Sequence, residues 1–168
     1  MIPLPGALGG RELVAWRLDQ QKHAASWDSG EGSFRTGGRW NRKGVHRAVY
    51  CSIDPSTAIL EVAVHKTFHV LDTVPHVLTA LTITDPSDVH VVDIDAIPNP
   101  NWLHSGIPGA GQQQFGDNLL AQHKFILIPS AVSKHSWNLI FDSTTAQGAY
   151  QLRSQERFAL DTRLNPPP

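Results

Sequence analysis

The glycine-rich block Gly37–Gly44 carries the densest set of residues in the chain that could bind a ligand. Glycines at both ends of the block permit unusual backbone angles and let a ligand approach the main chain. Arg39 offers a planar fork of N–H donors that suits phosphate, and Trp40 offers a flat ring for stacking. A surface turn with an arginine packed on a tryptophan would use the same residues, so composition alone leaves both interpretations open.

Tyr50 and Glu61 follow Arg39 at equal intervals along the chain. A lone tyrosine in a strand usually belongs to the core, and a lone glutamate on a helix is usually solvated. Glu61, however, lies between Leu60 and Val62 in an apolar stretch. A carboxylate in such a stretch either reaches out to solvent or is held in place for a purpose. The residues alone do not separate these two interpretations.

Helices and strands must position these residues. The predicted elements indicate an α+β fold, a single compact domain with more strands than helices. Asp54 followed by Pro55 is typical of a helix start, and this helix is predicted to continue to about Phe68. A length of 168 residues suits one domain, 1–168, with a core of about 12–164 and short frayed ends. The pattern predicts strands at 13–18, 47–53, 76–83, 89–94, 125–128, 137–141 and 158–164, a second helix at 112–123, and irregular structure at 26–44 and 95–111.

The overall charge and the cysteine content exclude several classes of function. The formal net charge is -1, so no global basic field attracts nucleic acid. The single cysteine, Cys51, excludes an internal disulfide framework and a multi-cysteine zinc site. No apolar run approaches the ~20 residues of a membrane span, and the segment Met1–Gly6 lacks the features of a signal peptide. We therefore expect a cytoplasmic protein without membrane contact.

A metal site is one alternative for the helix that carries Glu61. Glu61, His65 and His69 are spaced by four residues, which would align them along one side of a helix. Two histidines at this spacing form a known zinc geometry, in which a glutamate directly follows the first histidine. Lys66 stands at that position here, so we expect no metal and a packed or supporting role for His65.

The ordered set of motifs resembles the RES domain, the toxin half of a bacterial toxin–antitoxin pair. The Gly-Gly-Arg-Trp-Asn sequence at 37–41 is its most specific part. The chain departs from the family pattern after Gly116-Asp117 and after Asn138–Ile140. The matching pieces keep the family's order over nearly the whole chain: Trp16–Leu18, Gly37–Gly44, Val49–Ser52, Ala58–Val62 with His65, Pro98 with Trp102, Gly116-Asp117, Ile128–Val132, Asn138–Ile140 and Asp161–Leu164.

The resemblance implies a fold similar to that of ADP-ribosyltransferases, in which a split β-sheet holds NAD in a cleft. The Arg, Tyr and Glu signature of those enzymes maps onto Arg39, Tyr50 and Glu61, which are the catalytic residues that the resemblance implies. It also implies that NAD is the substrate and that no metal takes part. The residues expected to contact NAD are Arg17, Arg39, Trp40, Tyr50, Ser130 and Asn138.

The resemblance further implies the toxin of a type II toxin–antitoxin system that stops growth by depleting NAD. Cleavage of the nicotinamide–ribose bond by hydrolysis or phosphorolysis is the expected activity, and mono-ADP-ribosylation of a host protein is the alternative. A non-enzymatic binding module, using several of the five tryptophans, is a weaker alternative. The expected partner is a helix-turn-helix antitoxin of the Xre type that covers the active site, so that DNA is bound only through the partner.

Overall fold

The computed structural model describes residues 12–168. Residues 1–11, which include the segment behind the signal-peptide prediction, lie outside the described part. The helices and strands, in chain order, are β1 (Leu13–Gln20), α1 (Glu31–Thr36), β2 (Ala48–Ser52), α2 (Pro55–Thr73), β3 (His76–Ile83), β4 (Val89–Val91), α3 (Ala110–Gln122), β5 (Phe125–Pro129), β6 (Trp137–Asp142) and β7 (Tyr150–Phe158).

The strands form one seven-stranded sheet in the order β4-β5-β6-β2-β1-β3-β7. β4 and β5 are parallel, and the other neighbouring strands are antiparallel. β1 and β3 pair along their whole lengths, whereas β1 and β2 share only the pair Trp16 and Ser52. The sheet therefore separates between β2 and β1, and the predicted α+β fold with a split sheet is confirmed.

The helix α2 begins where the Asp54-Pro55 pair predicts. One carboxylate oxygen of Asp54 accepts a hydrogen bond from the backbone N of Thr57 at 2.8 Å, and the other accepts from the Ser136 hydroxyl at 2.6 Å. The second bond ties the helix start to β6, because Ser136 immediately precedes that strand. α2 runs beyond the predicted end at Phe68, with a break at Thr67 (φ 68°, ψ 155°).

Hydrophobic packing covers both faces of the sheet, because successive side chains of a strand point to opposite faces. Leu13 and Ala15 of β1 join one buried cluster with residues of β2, β5 and β6. Leu18 packs on the other face against Leu71 of α2 and Leu160. α2 is thereby fixed on the face of β1 and β3, directly beside the split. No helix of residues 12–168 combines the length and apolar character required to cross a membrane.

The C-terminal strand differs from the predicted one. The predicted strand at 158–164 is wrong, since β7 occupies Tyr150–Phe158 and a 3-10 turn occupies Thr162–Leu164. The Asp161 carboxylate accepts from the backbone N of Arg163 at 3.0 Å, and this local bond favours a turn over a strand. β7 lacks a hydrophobic alternation because its side chains are mostly exposed at the sheet edge.

Two other boundaries also differ from the predictions. The short helix α1 lies inside the predicted irregular segment 26–44, where Gly30 (φ 61°) precedes its first turn. The strand expected at 89–94 ends at Val91, because Asp93 begins a 3-10 turn by accepting from the backbone N of Asp95 at 3.0 Å. In both cases the local element, the six-residue helix α1 or the 3-10 turn after Asp93, is too short to show a hydrophobic period in the sequence.

Candidate active site

A cavity of about 850 Å³ opens at the split between β2 and β1. Its volume lies in the range of about 300–1,000 Å³ that is usual for ligand sites. The expected NAD-contacting residues, except Ser130, all contribute to its wall. Residues from distant parts of the chain line it together: Arg17, Arg39, Trp40, Tyr50, Ser52, Glu61, His65 and Asn138.

The Glu61 carboxylate projects from α2 and is held by side chains of two other elements. Its Oε1 accepts hydrogen bonds from the Ser130 hydroxyl at 2.9 Å and from the Asn138 side-chain amide at 2.6 Å. Within residues 12–168, no hydrogen bond is accepted by Oε2. Glu61 therefore keeps one oxygen fixed by the protein and the other available to a ligand in the cavity.

Ser130 and Asn138 act on Glu61 from buried positions. The Ser130 hydroxyl oxygen also accepts from the backbone N of Val132 at 3.2 Å and of Ser133 at 3.1 Å, which fixes the direction of its own O–H. The Asn138 carbonyl oxygen accepts from the Ser52 hydroxyl at 2.8 Å. Ser130 is only 2% exposed and lies behind Glu61, so its direct contact in the structure is with the carboxylate.

Ser52 belongs to this group, although the sequence analysis gave it no role. The period-2 alternation of a strand is the signal that could have found it, because Ser52 follows Tyr50 on the same face of β2. Ser52 is also the residue that pairs with Trp16 at the split.

Arg17 crosses the split. One end of its guanidinium donates to the backbone carbonyl of Tyr50 at 2.9 Å, and the other donates to the Asp19 carboxylate at 2.8 Å. Arg17 Nε, Asp19 Oδ2 and His76 Nε2 are buried without a partner within residues 12–168, and all three residues line the cavity.

Arg39 lies at the other end of the cavity, against the loop that precedes α3. Its guanidinium donates to the backbone carbonyls of His104 at 3.2 Å and Gly106 at 3.1 Å, with a longer contact of 3.5 Å to that of Trp102. Gly106 and Pro108 of this loop also line the cavity, and Ile107 between them is 99% exposed. Arg39 therefore anchors the loop at the rim of the cavity.

Tyr50 is fixed by the glycine-rich block. Its hydroxyl donates to the Asn41 side chain at 2.7 Å and accepts from the backbone N of Trp40 at 3.0 Å. Burial is the main cause that raises the pKa of Tyr50 well above its ordinary value, so the phenol stays protonated. A Cβ at Gly38 would lie 2.5 Å from the Tyr50 hydroxyl, which explains why the block requires glycine there.

Trp40 lines the cavity from a largely buried position. The residue is only 2% exposed, and its ring meets Phe115 of α3 edge-on at 6.3 Å between centroids. The core encloses most of the ring, and Trp40 still contributes to the cavity wall, so its contact with the ligand stays a prediction. Its role is to pack the glycine-rich block against α3.

A second buried network supports the same block. The Arg42 guanidinium donates to the Asp117 carboxylate at 2.6 Å, and the His46 ring lies 2.7 Å from the Asp142 carboxylate. Asp117 and Asp142 are almost fully buried on α3 and β6. The block is thereby attached to two elements beneath it, which positions Arg39 and Tyr50.

α2 does not have the regular helical geometry that the alternative zinc site would require around its two histidines. The break at Thr67 falls between His65 and His69, so the two residues are not on consecutive turns of one regular helix. His65 lines the cavity and His69 does not. Within residues 12–168, no three His, Cys, Asp or Glu side chains are grouped so as to hold a metal ion.

Comparison with known proteins assigns the chain to a family. The family model described as the RES domain matches residues 14–161. The chain belongs to the RES domain family. This RES domain is 28% identical over 156 residues to "Toxin Res" of Photorhabdus laumondii, which covers 90% of this chain and 97% of the relative. It is 29% identical over 154 residues to "Toxin Res" of Pseudomonas putida, covering 90% and 99%.

A solved structure confirms the architecture of this RES domain. A chain in the crystal structure of the M. tuberculosis MbcT–MbcA toxin–antitoxin complex superposes with a TM-score of 0.72, covering 88% of this chain and 85% of that chain. The two sequences are 21% identical, so this likeness concerns the fold. The expectation of a RES-domain toxin is confirmed by the family match and the relatives together.

Proposed function

We propose that this RES-domain toxin destroys NAD by cleaving the bond between nicotinamide and ribose. As a RES-domain toxin, the chain is one component of a toxin–antitoxin system. The observation that carries the proposal is the setting of Glu61, a carboxylate on the wall of a cavity of about 850 Å³ with one oxygen held by two donors. The cavity is large enough for much of a dinucleotide.

The chemistry requires such a carboxylate. When nicotinamide leaves, the C1′–N bond breaks with its electron pair on the ring nitrogen, and positive charge builds on the ribose as in glycoside hydrolysis. A carboxylate fixed beside that carbon stabilises the charge where it develops. In our proposal Glu61 Oε2 faces this carbon and the 2′-hydroxyl, while Oε1 stays on Ser130 and Asn138. Nicotinamide leaves as a neutral ring, so this step needs no metal.

The remaining parts of the dinucleotide are assigned to the residues around Glu61. Arg39 and Arg17 have guanidinium donors for the pyrophosphate, and the Tyr50 ring provides a surface for the nicotinamide. Arg39 would exchange its bonds to the loop carbonyls for bonds to phosphate. The buried, unpartnered atoms of Arg17 and Asp19 support a polar ligand here, because such atoms normally have a hydrogen-bond partner.

The decisive experiment is incubation of the purified chain, without any partner, with NAD labelled in the adenosine part. We expect loss of NAD and release of free ADP-ribose, or of phosphorylated ADP-ribose when inorganic phosphate is present. Label on a protein band would instead support the ADP-ribosyltransferase alternative. A folded chain that leaves NAD intact under all these conditions would overturn the proposal and support a binding module. The matched inactive control is Glu61→Gln.

We also propose that an antitoxin covers this cavity and that DNA binding belongs to that partner. The rim carries the fully exposed Ile107 next to Arg39, a combination that would accept an apolar and acidic segment of a partner. The chain's own net charge of -1 gives it no general attraction to DNA. Expression of the chain alone should stop growth and lower NAD, and co-expression of the adjacent open reading frame should restore both. Normal growth and NAD with verified soluble toxin would contradict this.

A further inference from the structure

Ser52, Asn138 and Glu61 form a linear chain of side-chain hydrogen bonds inside the cleft. The Ser52 hydroxyl donates to Asn138 Oδ1 at 2.8 Å, and Asn138 Nδ2 donates to Glu61 Oε1 at 2.6 Å. Ser52 is 2% exposed and Asn138 is 8% exposed. The two are direct partners in the pairing of β2 with β6, so the sheet itself fixes their separation.

The direction of the bonds follows from what each group can donate. An ionised carboxylate only accepts, so Asn138 must turn its NH₂ group towards Glu61. Its carbonyl oxygen then faces Ser52, which must donate its single O–H. Without that O–H, the buried side-chain oxygen Oδ1 of Asn138 receives no hydrogen bond from any donor within residues 12–168. The amide would then be free to turn away from Glu61.

We propose that Ser52 is a positioning residue for Glu61 that acts through Asn138. The inference rests on the proposed function, in which Glu61 is the carboxylate that stabilises the ribose cation. Ser52 sets the orientation of the Asn138 amide, the amide holds Oε1, and Oε2 is thereby aimed at the reacting carbon. Loss of the hydroxyl should slow the chemical step and leave NAD binding largely unchanged.

A double-mutant cycle on the full chain tests this inference. We expect Ser52→Ala and Asn138→Ala each to lower kcat roughly tenfold with little change in KM, because small displacements of a reacting group are costly. The double variant should be no slower than Asn138→Ala alone, because coupled residues are not additive. Ser52→Thr keeps the hydroxyl and should recover most of kcat. Additive losses, or a raised KM with normal kcat, would show that Ser52 contacts the substrate directly and would overturn the inference.

A spectroscopic measurement tests the same chain of bonds without NAD. The side-chain NH₂ signals of Asn138, identified by their absence from ¹H–¹⁵N spectra of Asn138→Ala, should shift and exchange faster with water in Ser52→Ala. Ser143→Ala is the matched control, since it removes a serine hydroxyl that bonds the carbonyl of Ser29 instead. Unchanged Asn138 signals in folded Ser52→Ala would overturn the inference. If the wild-type chain fails to consume NAD, the proposed function fails while this measurement still decides the role of Ser52.

Discussion

The two ends of the cleft hold their charged residues in different ways. Glu61 is held by the side chains of Ser130 and Asn138, which are nearly buried and have further partners of their own. Arg39 is held by backbone carbonyls of an exposed loop that contains Gly106. The carboxylate end is thus determined by the sheet and α2, whereas the arginine end depends on an exposed loop.

This difference suggests a division of roles. Groups that stabilise a transition state must be held close to their productive geometry before the reaction, which the buried bonds around Glu61 provide. A residue that grips a flexible dinucleotide can exchange partners when the ligand arrives. We therefore expect substitutions at the Glu61 end to lower kcat and substitutions at the Arg39 end to raise KM, and the following predictions test that contrast.

The largest effect is expected for Glu61→Gln. Glutamine keeps the size and the Oε1 acceptor of glutamate but removes the charge that stabilises the ribose cation in the proposed reaction. We expect kcat for NAD cleavage to fall by at least roughly a hundredfold, with an unchanged melting temperature. Glu156→Gln on the exposed strand β7 is the matched control and should retain full activity. Native NAD consumption by a normally folded Glu61→Gln protein would end this assignment.

Ser130→Ala should give the next largest effect. The substitution removes the donor to Glu61 and also leaves the backbone N–H groups of Val132 and Ser133 without their acceptor. We expect kcat to fall roughly tenfold and the free energy of unfolding to fall by about 1–2 kcal/mol. Turnover and chemical denaturation measure the two effects. Ser133→Ala, in the same turn, keeps its backbone N–H and should change neither; equal effects of the two variants would remove Ser130 from the site.

The sequence predicted much of the site because its signals are local or belong to the family pattern. Asp54 and Pro55 set the start of α2, and the turns of that helix then place Glu61 at the split. Arg17 and Tyr50 were predicted from the family pattern, and the structure brings both to the same cavity as Glu61. An N-cap is decided by the few residues around it, so sequence reasoning finds it reliably.

The features that the sequence did not predict depend on contacts between distant segments. Ser52 and Asn138 are 86 positions apart, and only the pairing of β2 with β6 brings them together. Trp40 is buried because it packs against Phe115 of α3, and no local hydrophobic period in the sequence predicts that contact. Likewise β7 is a strand because β3 offers it a partner, although its own residues are polar.

Arg39→Lys should affect binding more than the chemical step. Lysine keeps the positive charge but loses the planar fork, both for phosphate and for the carbonyls of His104 and Gly106. We expect KM for NAD to rise roughly five- to tenfold, with kcat within about twofold of the native value. Arg153→Lys on β7 is the control, because Arg153 lies outside the cavity wall. A large fall in kcat at unchanged KM would contradict the contrast between the two ends.

Metal chelation is expected to leave NAD turnover unchanged. The break at Thr67 separates His65 from His69 and removes the regular helical spacing that a two-histidine zinc site requires. In the proposed reaction the leaving ring is already a good leaving group, and the charge that develops lies on the ribose beside Glu61, where a metal cation would oppose it. We therefore expect full NAD turnover after exhaustive treatment with a chelator, and the same kcat in His69→Ala as in the native chain. If chelation abolished turnover and zinc restored it in the native chain but not in His69→Ala, the helix would have to re-form around a metal, and Glu61 would be a ligand instead of the stabilising carboxylate.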